Sequence, residues 1–186
     1  MRIISGTFRG KKILEPKDSQ TRPLKDMTKE SIFNILNHSN KFKIDLENSN
    51  VLDLFSGVGS FGIECLSRGA KNVIFVENYS GVLPTLKKNL QNLKSIENYK
   101  IFEKDINNNN FFISLNKKFD IIFMDPPYKD KNLNLLLNKI KDQKIMNKKG
   151  ILIIHRHKNE KDIIPKNLNI IEEKKYGLSK IIFIST

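Results

Sequence analysis

The sequence has few of the residues that stabilise cross-linked or metal-bound proteins. It contains one cysteine, Cys65, among 186 residues, which excludes a disulfide framework and a cysteine-rich zinc site. No apolar run approaches the roughly 18 residues of a membrane-spanning helix. A strand-like pattern begins directly at Met1, which leaves no room for a signal or transit peptide. We therefore expect a soluble, cytoplasmic protein with no membrane contact and no metal site.

The chain also lacks a balance of charge. It has 33 Lys and Arg but only 20 Asp and Glu, so its net charge is +13. Lysine supplies 28 of the basic residues and occurs in every segment, so the total alone is a weak indication of a phosphate-rich partner. The distribution is more informative. Residues 1–30 sum to +4, with no acid in the first twelve, whereas residues 51–86 sum to −1.

Arginine is concentrated at the start of the chain. Three of the five arginines, Arg2, Arg9 and Arg22, lie in the first 22 residues. Arginine is the better bidentate partner for phosphate and for guanine. The excess of positive charge therefore points to an N-terminal arm as the nucleic-acid contact.

Residues 1–50 are predicted to form a hairpin, a loop and a helix. Two short β-prone runs at residues 2–4 and 11–14 flank a segment that contains Gly6 and Gly10, which is typical of a hairpin. A proline-containing loop follows. Apolar residues at helical spacing then predict a helix over about residues 27–36, capped by Asp26 or Thr28.

From Val51 onwards, strands alternate with helices, which predicts an α/β fold with a parallel sheet. The length of 186 residues fits one domain or one domain with a small appendage. We therefore divide the chain into an N-terminal unit, residues 1–50, and a catalytic unit, residues 51–186. The predicted strands cover residues 51–55, 73–76, 100–102, 119–124, 151–155 and 181–185, with 169–172 as a partner of the last; the predicted helices cover 61–66, 82–93 and 133–145, and residues 107–110 form a loop.

The segment DLFSGVGSFG, residues 53–62, follows a predicted strand and opens a predicted helix, the context in which G-x-G-x-x-G is informative. Gly57 and Gly59 allow a ligand to approach the backbone closely. Glu77 ends the next strand and can bind a ribose. These features predict a nucleoside-type cofactor, either NAD or S-adenosylmethionine. Asp53 favours the second, because an acid here repels a pyrophosphate but pairs with the amino group of a methionine moiety.

Two further positions are open to more than one interpretation. Asp105, after the third strand, can accept a hydrogen bond from an adenine amino group or can be a solvated loop residue. His155 and His157 share a face of a strand, as a metal pair would. No third ligand accompanies them, so we interpret them as packed or solvated histidines.

The sequence Asp125-Pro126-Pro127-Tyr128 follows the fourth strand. Two prolines fix the backbone and remove competing N–H donors. An exocyclic amino group is a poor nucleophile, because its lone pair is delocalised into the base. The Asp125 carboxylate and the Pro126 carbonyl can accept both N–H bonds and direct that lone pair at a methyl group. We expect Tyr128 to stack on the base.

Several segments, taken in order, resemble the RsmD family, the bacterial 16S rRNA (guanine(966)-N(2))-methyltransferases. They are MRIISGTFRGKKI, the Arg22-Pro23 element with the KESIFNIL helix, VLDLFSGVGSFGIECLSRGA, FVE and DIIFMDPPY. The resemblance implies a Rossmann-like, seven-stranded S-adenosylmethionine-dependent methyltransferase sheet whose last strand is antiparallel. It also implies methylation of a guanine N2 amino group in 16S rRNA, within assembled or assembling small ribosomal subunits.

The resemblance also assigns roles to individual residues. We also expect a monomer that acts without metal. At the end of the fifth strand, where relatives usually have an acid, this chain has His155-Arg156-His157. The implied residues are Asp53, Gly57, Gly59, Glu77 and Asp105 for the cofactor, Asp125, Pro126, Pro127 and Tyr128 for catalysis, and Arg22 near the target nucleotide. We add Phe55 of the glycine loop to the predicted cofactor contacts, and we predict that Arg2, Arg9, Lys11, Lys12 and Arg22 of the basic arm bind RNA.

Other functions share parts of this pattern. A DNA adenine-N6 methyltransferase has the same chemistry, but 186 residues leave little room for a separate target-recognition domain. A non-catalytic RNA-binding assembly factor would share the fold. The glycine loop alone is also compatible with an oxidoreductase.

Overall fold

The computed structural model describes residues 1–21, 23–94, 96–106, 111–127, 132–166 and 168–185. In these ranges, strands and helices alternate along the chain as the sequence predicts. The strands are β1 (Asn50–Leu54), β2 (Asn72–Val76), β3 (Tyr99–Phe102), β4 (Phe119–Met124), β5 (Met146–His157), β6 (Asn169–Tyr176) and β7 (Ser179–Ser185); the helices are α1 (Asp26–His38), α2 (Ser60–Ser67), α3 (Leu83–Gln91), α4 (Phe111–Ser114) and α5 (Leu133–Asp142).

All seven strands form one sheet in the order β3-β2-β1-β4-β5-β7-β6. Strands β1 to β5 are parallel, and β7 runs antiparallel to both β5 and β6. The strand order reverses between β1 and β4, which is where open α/β sheets bind their ligands. The predicted seven-stranded α/β fold with an antiparallel last strand is confirmed.

Two apolar clusters cover the two faces of the sheet, because successive side chains of each strand point to opposite sides. On β1, Val51 joins the cluster that contains α2 and α3, and Leu52 joins the cluster that contains α5. On β4, Phe123 and Met124 divide in the same way. The central strands β1 and β4 are therefore almost continuously apolar. Within the described ranges, no helix has the length and apolar character needed to cross a bilayer.

The first 13 residues form the predicted hairpin in a minimal form. One antiparallel bridge joins Arg2 to Lys12, and the Ile3 N–H donates to the Lys11 carbonyl at 2.9 Å. Ile3 and Ile13 are buried in the same cluster as α2. The hairpin is therefore fixed to the sheet through its apolar side chains and not through strand pairing.

Polar contacts from α2 hold this hairpin in place. The buried Glu64 carboxylate accepts the N–H groups of Ile4 and Ser5 at 2.8 and 2.9 Å. The Ser67 carbonyl accepts the Thr7 N–H at 2.7 Å, and the Ser67 hydroxyl donates to the Ser5 carbonyl at 2.6 Å. These bonds satisfy hairpin N–H groups that have no strand partner.

Helix α1 begins without the predicted cap. Lys25 precedes the helix, and no side chain caps its first turn. Asp26 instead lies within the first turn, where its carboxylate accepts the Arg2 N–H at 3.4 Å and lies 3.7 Å from Lys29 Nζ. The prediction that Asp26 or Thr28 is the cap is wrong, because the hairpin engages Asp26 and Thr28 lies inside the helix.

Lys29 is fully buried beneath the hairpin. Its ammonium group donates to the Arg2 carbonyl at 2.8 Å and lies 3.7 Å from the Glu64 carboxylate. Burial lowers the pKa of Lys29, and the neighbouring Glu64 and Asp26 oppose that shift. A buried charge is tolerated when it is paired in this way.

The C-terminal half differs from the prediction in one helix and in several element boundaries. The short helix α4 was not predicted. Its side chains Phe111 and Phe112 are buried against the sheet. Strand β5 begins at Met146, five residues earlier than predicted, and β6 continues to Tyr176. The exposed Lys148 and Lys149 interrupt the apolar pattern of β5, which is why periodicity alone places its start too late. The predicted loop at 107–110 lies outside the described residues.

Two glycines of the hairpin allow a matched test of its docking. Gly6 and Gly10 have φ values of 82° and 85°. A Cβ at Gly6 would lie 1.8 Å from the Ser67 carbonyl oxygen, whereas a Cβ at Gly10 would meet nothing within 4 Å. We expect Gly10→Ala to lower the free energy of unfolding by about 1–2 kcal/mol, and Gly6→Ala to lower it by roughly a further 1–3 kcal/mol through overpacking. Urea denaturation of both variants measures the difference; equal losses would contradict the docking of Gly6 on α2.

Candidate cofactor-binding and catalytic site

Three carboxylates meet at the carboxyl end of the parallel strands. Asp53 lies on β1, Glu77 directly follows β2, and Asp125 directly follows β4. These strands are neighbours, with Asp53 opposite Phe75 and Phe123 in the register. The sheet topology therefore brings together the three acidic residues that the sequence assigns to one site.

Asp53 is 1% exposed and lies on the sheet face covered by α2. Its carboxylate accepts the Gly62 N–H of α2 at 2.9 Å. Burial raises the pKa of Asp53 from 3.8 to about 8; the Gly62 hydrogen bond opposes this shift, and the nearby Asp125 and Glu77 add to it. At neutral pH, a cation next to such an acid favours its ionised form.

The glycine loop between β1 and α2 has an unusual backbone. Phe55, Gly57 and Gly59 have φ values of 59°, 54° and 84°. A Cβ at Gly62, on the first turn of α2, would lie 2.3 Å from the Phe75 ring and 2.9 Å from the Asp53 carboxylate. Glycine at position 62 is therefore what lets α2 reach Asp53. Phe55 itself is half-buried against the cluster that contains α5.

Glu77 holds the glycine loop to the end of β2. One carboxylate oxygen accepts the Gly57 N–H at 2.8 Å, and the other accepts the N–H groups of Asn78 and Tyr79 at 2.9 and 2.8 Å. An ionised carboxylate has about four acceptor sites. A ribose hydroxyl would thus meet an acceptor whose position is already fixed by three backbone donors.

Asp105 lies in the loop after β3 and is exposed. Strand β3 is the neighbour of β2, so Asp105 follows the same end of the sheet as Glu77. Both interpretations of Asp105 are compatible with this placement. Its contact with an adenine stays a prediction.

The sequence Asp125-Pro126-Pro127 leaves β4 at the site. The Asp125 side chain is 17% exposed, Pro126 is buried and Pro127 is exposed. Tyr128, the last residue of the motif, lies outside the described residues. The accessible carboxylate of Asp125 thus lies at the carboxyl end of the sheet, the same end at which the glycine loop follows β1.

Two side chains of β5 hold this motif, and sequence reasoning did not find their role. His155 Nδ1 lies 2.9 Å from Asp125 Oδ1, and Arg156 Nη1 donates to the Pro127 carbonyl at 3.1 Å. Arg156 is 2% exposed and also pairs with Asp162 at 2.9 Å. The sequence feature that could have indicated this role is that these polar residues end an apolar strand, which lies next to β4.

The two histidines of β5 therefore differ. His155 is 6% exposed, so its interpretation as a packed side chain is confirmed, whereas His157 is half-buried at the end of the strand. In the part of the chain that the structure describes, no group of three or more His, Cys, Asp or Glu is arranged to hold a metal ion.

The loop that follows the hairpin lies over the glycine loop. The Tyr79 hydroxyl donates to the Asp18 carboxylate at 2.8 Å, and a Cβ at Gly57 would lie 3.0 Å from Thr21 Cγ2. The buried Asn89 accepts the Leu14 N–H at 2.8 Å. Its amide also donates to the carbonyls of Leu14 and Val58 at 3.1 and 3.0 Å. The N-terminal segment is thus part of the wall of the site.

The residues predicted to bind RNA are exposed on the hairpin. Arg2, Arg9, Lys11 and Lys12 are all exposed, and Arg22 lies outside the described residues. An open cavity of about 220 Å³ between the hairpin and α1 is lined by Arg2, Ile3, Ile4, Arg9, Gly10, Asp26 and Glu30. Arg2 is tied to the site, because the Lys29 ammonium contacts both its carbonyl and the Ser60 hydroxyl at the start of α2.

The sheet order, the glycine loop and the three carboxylates define a Rossmann-like methyltransferase fold. A family model described as conserved hypothetical protein 95 matches residues 1–185, and the chain belongs to this family. Its resemblance to the RsmD proteins is confirmed by a relative in Buchnera aphidicola named ribosomal RNA small subunit methyltransferase D, which is 32% identical over 92% of this chain and 86% of its own length.

Solved structures share the fold. One, described as "Putative methyltransferase yhhF from Escherichia coli", has a TM-score of 0.78 and 26% identity, covering 99% of this chain and 96% of that chain. Another, "a putative methyltransferase complexed with SAH", has a TM-score of 0.66 and 15% identity, covering 85% of this chain and 49% of that chain.

The raised pKa of Asp53 makes stability depend on pH. Between about pH 4 and pH 8 the folded protein keeps a proton on Asp53 that the unfolded chain releases. The stability that this proton contributes is complete below pH 4 and is lost as the pH rises through 8. Asp53→Asn removes the titration and keeps an oxygen that can accept the Gly62 N–H.

We therefore expect Asp53→Asn to become more stable relative to the wild type by roughly 2 kcal/mol or more between pH 5 and pH 8.5. Urea unfolding at the two pH values measures this change. The exposed acid Asp142 supplies the control Asp142→Asn, for which the same difference is near zero. A pH-independent difference for Asp53→Asn would contradict the burial of an ionisable Asp53.

Proposed function

We propose that the protein transfers a methyl group from S-adenosylmethionine to the exocyclic N2 amino group of a guanine in 16S rRNA of the small ribosomal subunit. The observation that supports this proposal most directly is that Asp53, Glu77 and Asp125 meet at the carboxyl end of the sheet, next to a glycine loop. The relative named ribosomal RNA small subunit methyltransferase D supports the substrate class. On this proposal the enzyme acts in the cytoplasm, as a monomer, on assembled or assembling subunits.

The cofactor side of the site fits a methyl donor built from adenosine and methionine. Asp53, once ionised, pairs with the amino group of the methionine moiety, and Glu77 accepts hydrogen bonds from the ribose. Phe55, Gly57 and Gly59 shape the loop against the ligand, and Asp105 accepts the adenine amino group. S-adenosylmethionine supplies an electrophilic methyl group on a sulfonium; SAH, found in the distant structural neighbour, is its demethylated form.

The substrate side prepares a weak nucleophile. The Asp125 carboxylate and the Pro126 carbonyl accept the two N–H bonds of the guanine amino group and orient its lone pair towards the methyl group. The bound cofactor would supply the methyl group and take the bonding electrons on its sulfur, so that positive charge would develop on the guanine nitrogen until its extra proton passes to water. The Asp125 carboxylate stabilises that charge. Tyr128 stacks on the base.

The exposed arm of Arg2, Arg9, Lys11 and Lys12, with Arg22, holds the RNA. Arginine and lysine contacts to phosphate position a nucleic acid independently of its sequence. The same segment continues over the glycine loop through Asp18 and Thr21. RNA bound on the arm thus lies against the segment that covers the cofactor.

The catalytic role of Asp125 is tested with undermethylated 30S subunits and labelled methyl donor. We expect the wild type to label guanine N2, and Asp125→Ala to lower kcat by at least about 100-fold, since one electrostatic contact at the reacting atom is typically worth that much. Calorimetry should show unchanged cofactor affinity. Asp142→Ala, which removes an exposed acid, is the control. Label on adenine, or none with the wild type, refutes the proposed function; loss of cofactor binding in Asp125→Ala refutes the role of Asp125.

The basic arm is tested by the double variant Arg2→Gln with Arg9→Gln. We expect KM for the RNA substrate to rise about tenfold and its dependence on salt to weaken, while cofactor affinity stays unchanged. The control removes two exposed lysines at the opposite end of the sheet, Lys148→Gln with Lys149→Gln, and should behave as the wild type. Equal effects of the two double variants would show that only total charge matters.

A further inference from the structure

His155 occupies the position next to the catalytic motif on the neighbouring strand. Strands β4 and β5 are parallel, with Met124 opposite Ile154, so Asp125 and His155 are the next residues along the two strands. His155 is 6% exposed, and its side chain points to the same end of the sheet as the Asp125 carboxylate. The placement follows from the pairing of β4 with β5, because Asp125 is the first residue after β4.

The imidazole makes one defined contact at each nitrogen. Nδ1 lies 2.9 Å from Asp125 Oδ1, and Nε2 lies 2.9 Å from the Ser179 hydroxyl on β7. An ionised carboxylate only accepts hydrogen bonds, so Nδ1 carries the hydrogen. Ser179 can donate to a neutral Nε2 or accept from a protonated one, because a hydroxyl does both. The ring is therefore held from both sides with Nδ1–H directed at Asp125.

The surroundings of Asp125 make such a donor useful. The other acids of the site are Asp53 on β1 and Glu77 after β2, and both act electrostatically at this end of the sheet. The basic side chains of β5 and β7 next to His155 and Ser179 are engaged elsewhere: Arg156 pairs with Asp162 and contacts Pro127, and Lys180 lies 3.3 Å from Asp162. Among these contacts, His155 is the one that reaches the Asp125 carboxylate.

We propose that His155 is a positioning residue for methyl transfer: its Nδ1–H fixes the plane of the Asp125 carboxylate and keeps one carboxylate oxygen directed at the amino group of the substrate. The inference rests on the proposed function and adds to it a residue that does not touch substrate. A carboxylate without this donor rotates about its terminal bond, because that torsion has only a broad preference. Reacting groups that are misplaced by about 1 Å can lose about 100-fold in rate.

Two substitutions distinguish the effect of the N–H donor from the effect of side-chain volume. His155→Asn keeps an N–H at the position of Nδ1, whereas His155→Leu fills similar space without a donor. We expect His155→Leu to lower kcat by roughly 10- to 100-fold and to change KM for RNA and for S-adenosylmethionine by less than about threefold, since both ring nitrogens of His155 are directed at protein groups, Asp125 and Ser179. His155→Asn should recover most of the lost kcat. His38→Leu, at the exposed end of α1, should behave as the wild type.

A spectroscopic measurement tests the contact without any assay of activity. Nitrogen-15 NMR of the histidine side chains in the full chain, without cofactor or RNA, should show Nδ1–H for His155. Asp125→Ala should change the ring signals of His155 and leave those of His38 unchanged. This measurement does not use the His155→Leu variant, so it tests the contact even if that variant folds poorly.

The outcomes are distinct. Equal kcat for His155→Leu and His155→Asn, unchanged kcat for His155→Leu, or a neutral His155 with its hydrogen on Nε2 would each overturn the positioning role. A wild type that labels no guanine in 30S subunits, together with Nδ1–H on His155, would refute the proposed function and keep the contact. Selective loss of kcat in His155→Leu with rescue by His155→Asn supports the proposal.

Discussion

The burial of Asp53 beside two other carboxylates at the end of a parallel sheet is the constraint on which the site depends. Asp53, Glu77 and Asp125 come together because β1, β2 and β4 are neighbours, and each needs a partner that offsets the unfavourable concentration of negative charge. Asp53 receives the Gly62 N–H, Glu77 receives three backbone N–H groups, and Asp125 receives His155. Burial raises the pKa of Asp53 to about 8, and the nearby Asp125 and Glu77 add to this shift. A buried acid in this state is prepared for a cationic ligand.

The N-terminal segment belongs to this arrangement and is not a separate attachment. Its hairpin is fixed to α2 by Glu64 and Ser67, and its following loop contacts the glycine loop through Asn89. The buried pair of Lys29 and Glu64 lies where hairpin, α1 and α2 meet. Buried ion pairs are weak evidence of added stability but strongly penalise the loss of one partner. We infer that the exposed arginines of the hairpin keep a defined position relative to the site, and the division at residue 50 stays a prediction.

Sequence reasoning identified most strands and helices because their signal is local. The apolar runs of β1 and β4 and the helical spacing in α1 and α3 lie within a few residues of the predicted ranges. Errors occurred where the local sequence pattern does not show which residues are buried. Lys148 and Lys149 concealed the start of β5, and the short helix α4 depends on packing by Phe111 and Phe112 and not on its length.

The same contrast applies to the site. Asp53, Glu77 and Asp125 were identified because each acid lies in or directly after the end of an apolar strand, and the chemistry of a glycine loop and of Asp-Pro-Pro-Tyr is contained in short contiguous motifs. The contacts of His155 and Arg156 were missed, since residues 30 and 29 positions apart in the chain meet only through the pairing of β4 with β5.

The sequence by itself determined the order of strands and helices, the glycine loop, the acidic strand ends and the basic N-terminal arm, because these depend on periodicity and on neighbouring residues. Only the tertiary structure decided which groups satisfy those acids, that the segment before α1 covers the glycine loop, and that His155 contacts Asp125. These features depend on strand order and burial, which bring together residues distant in the chain.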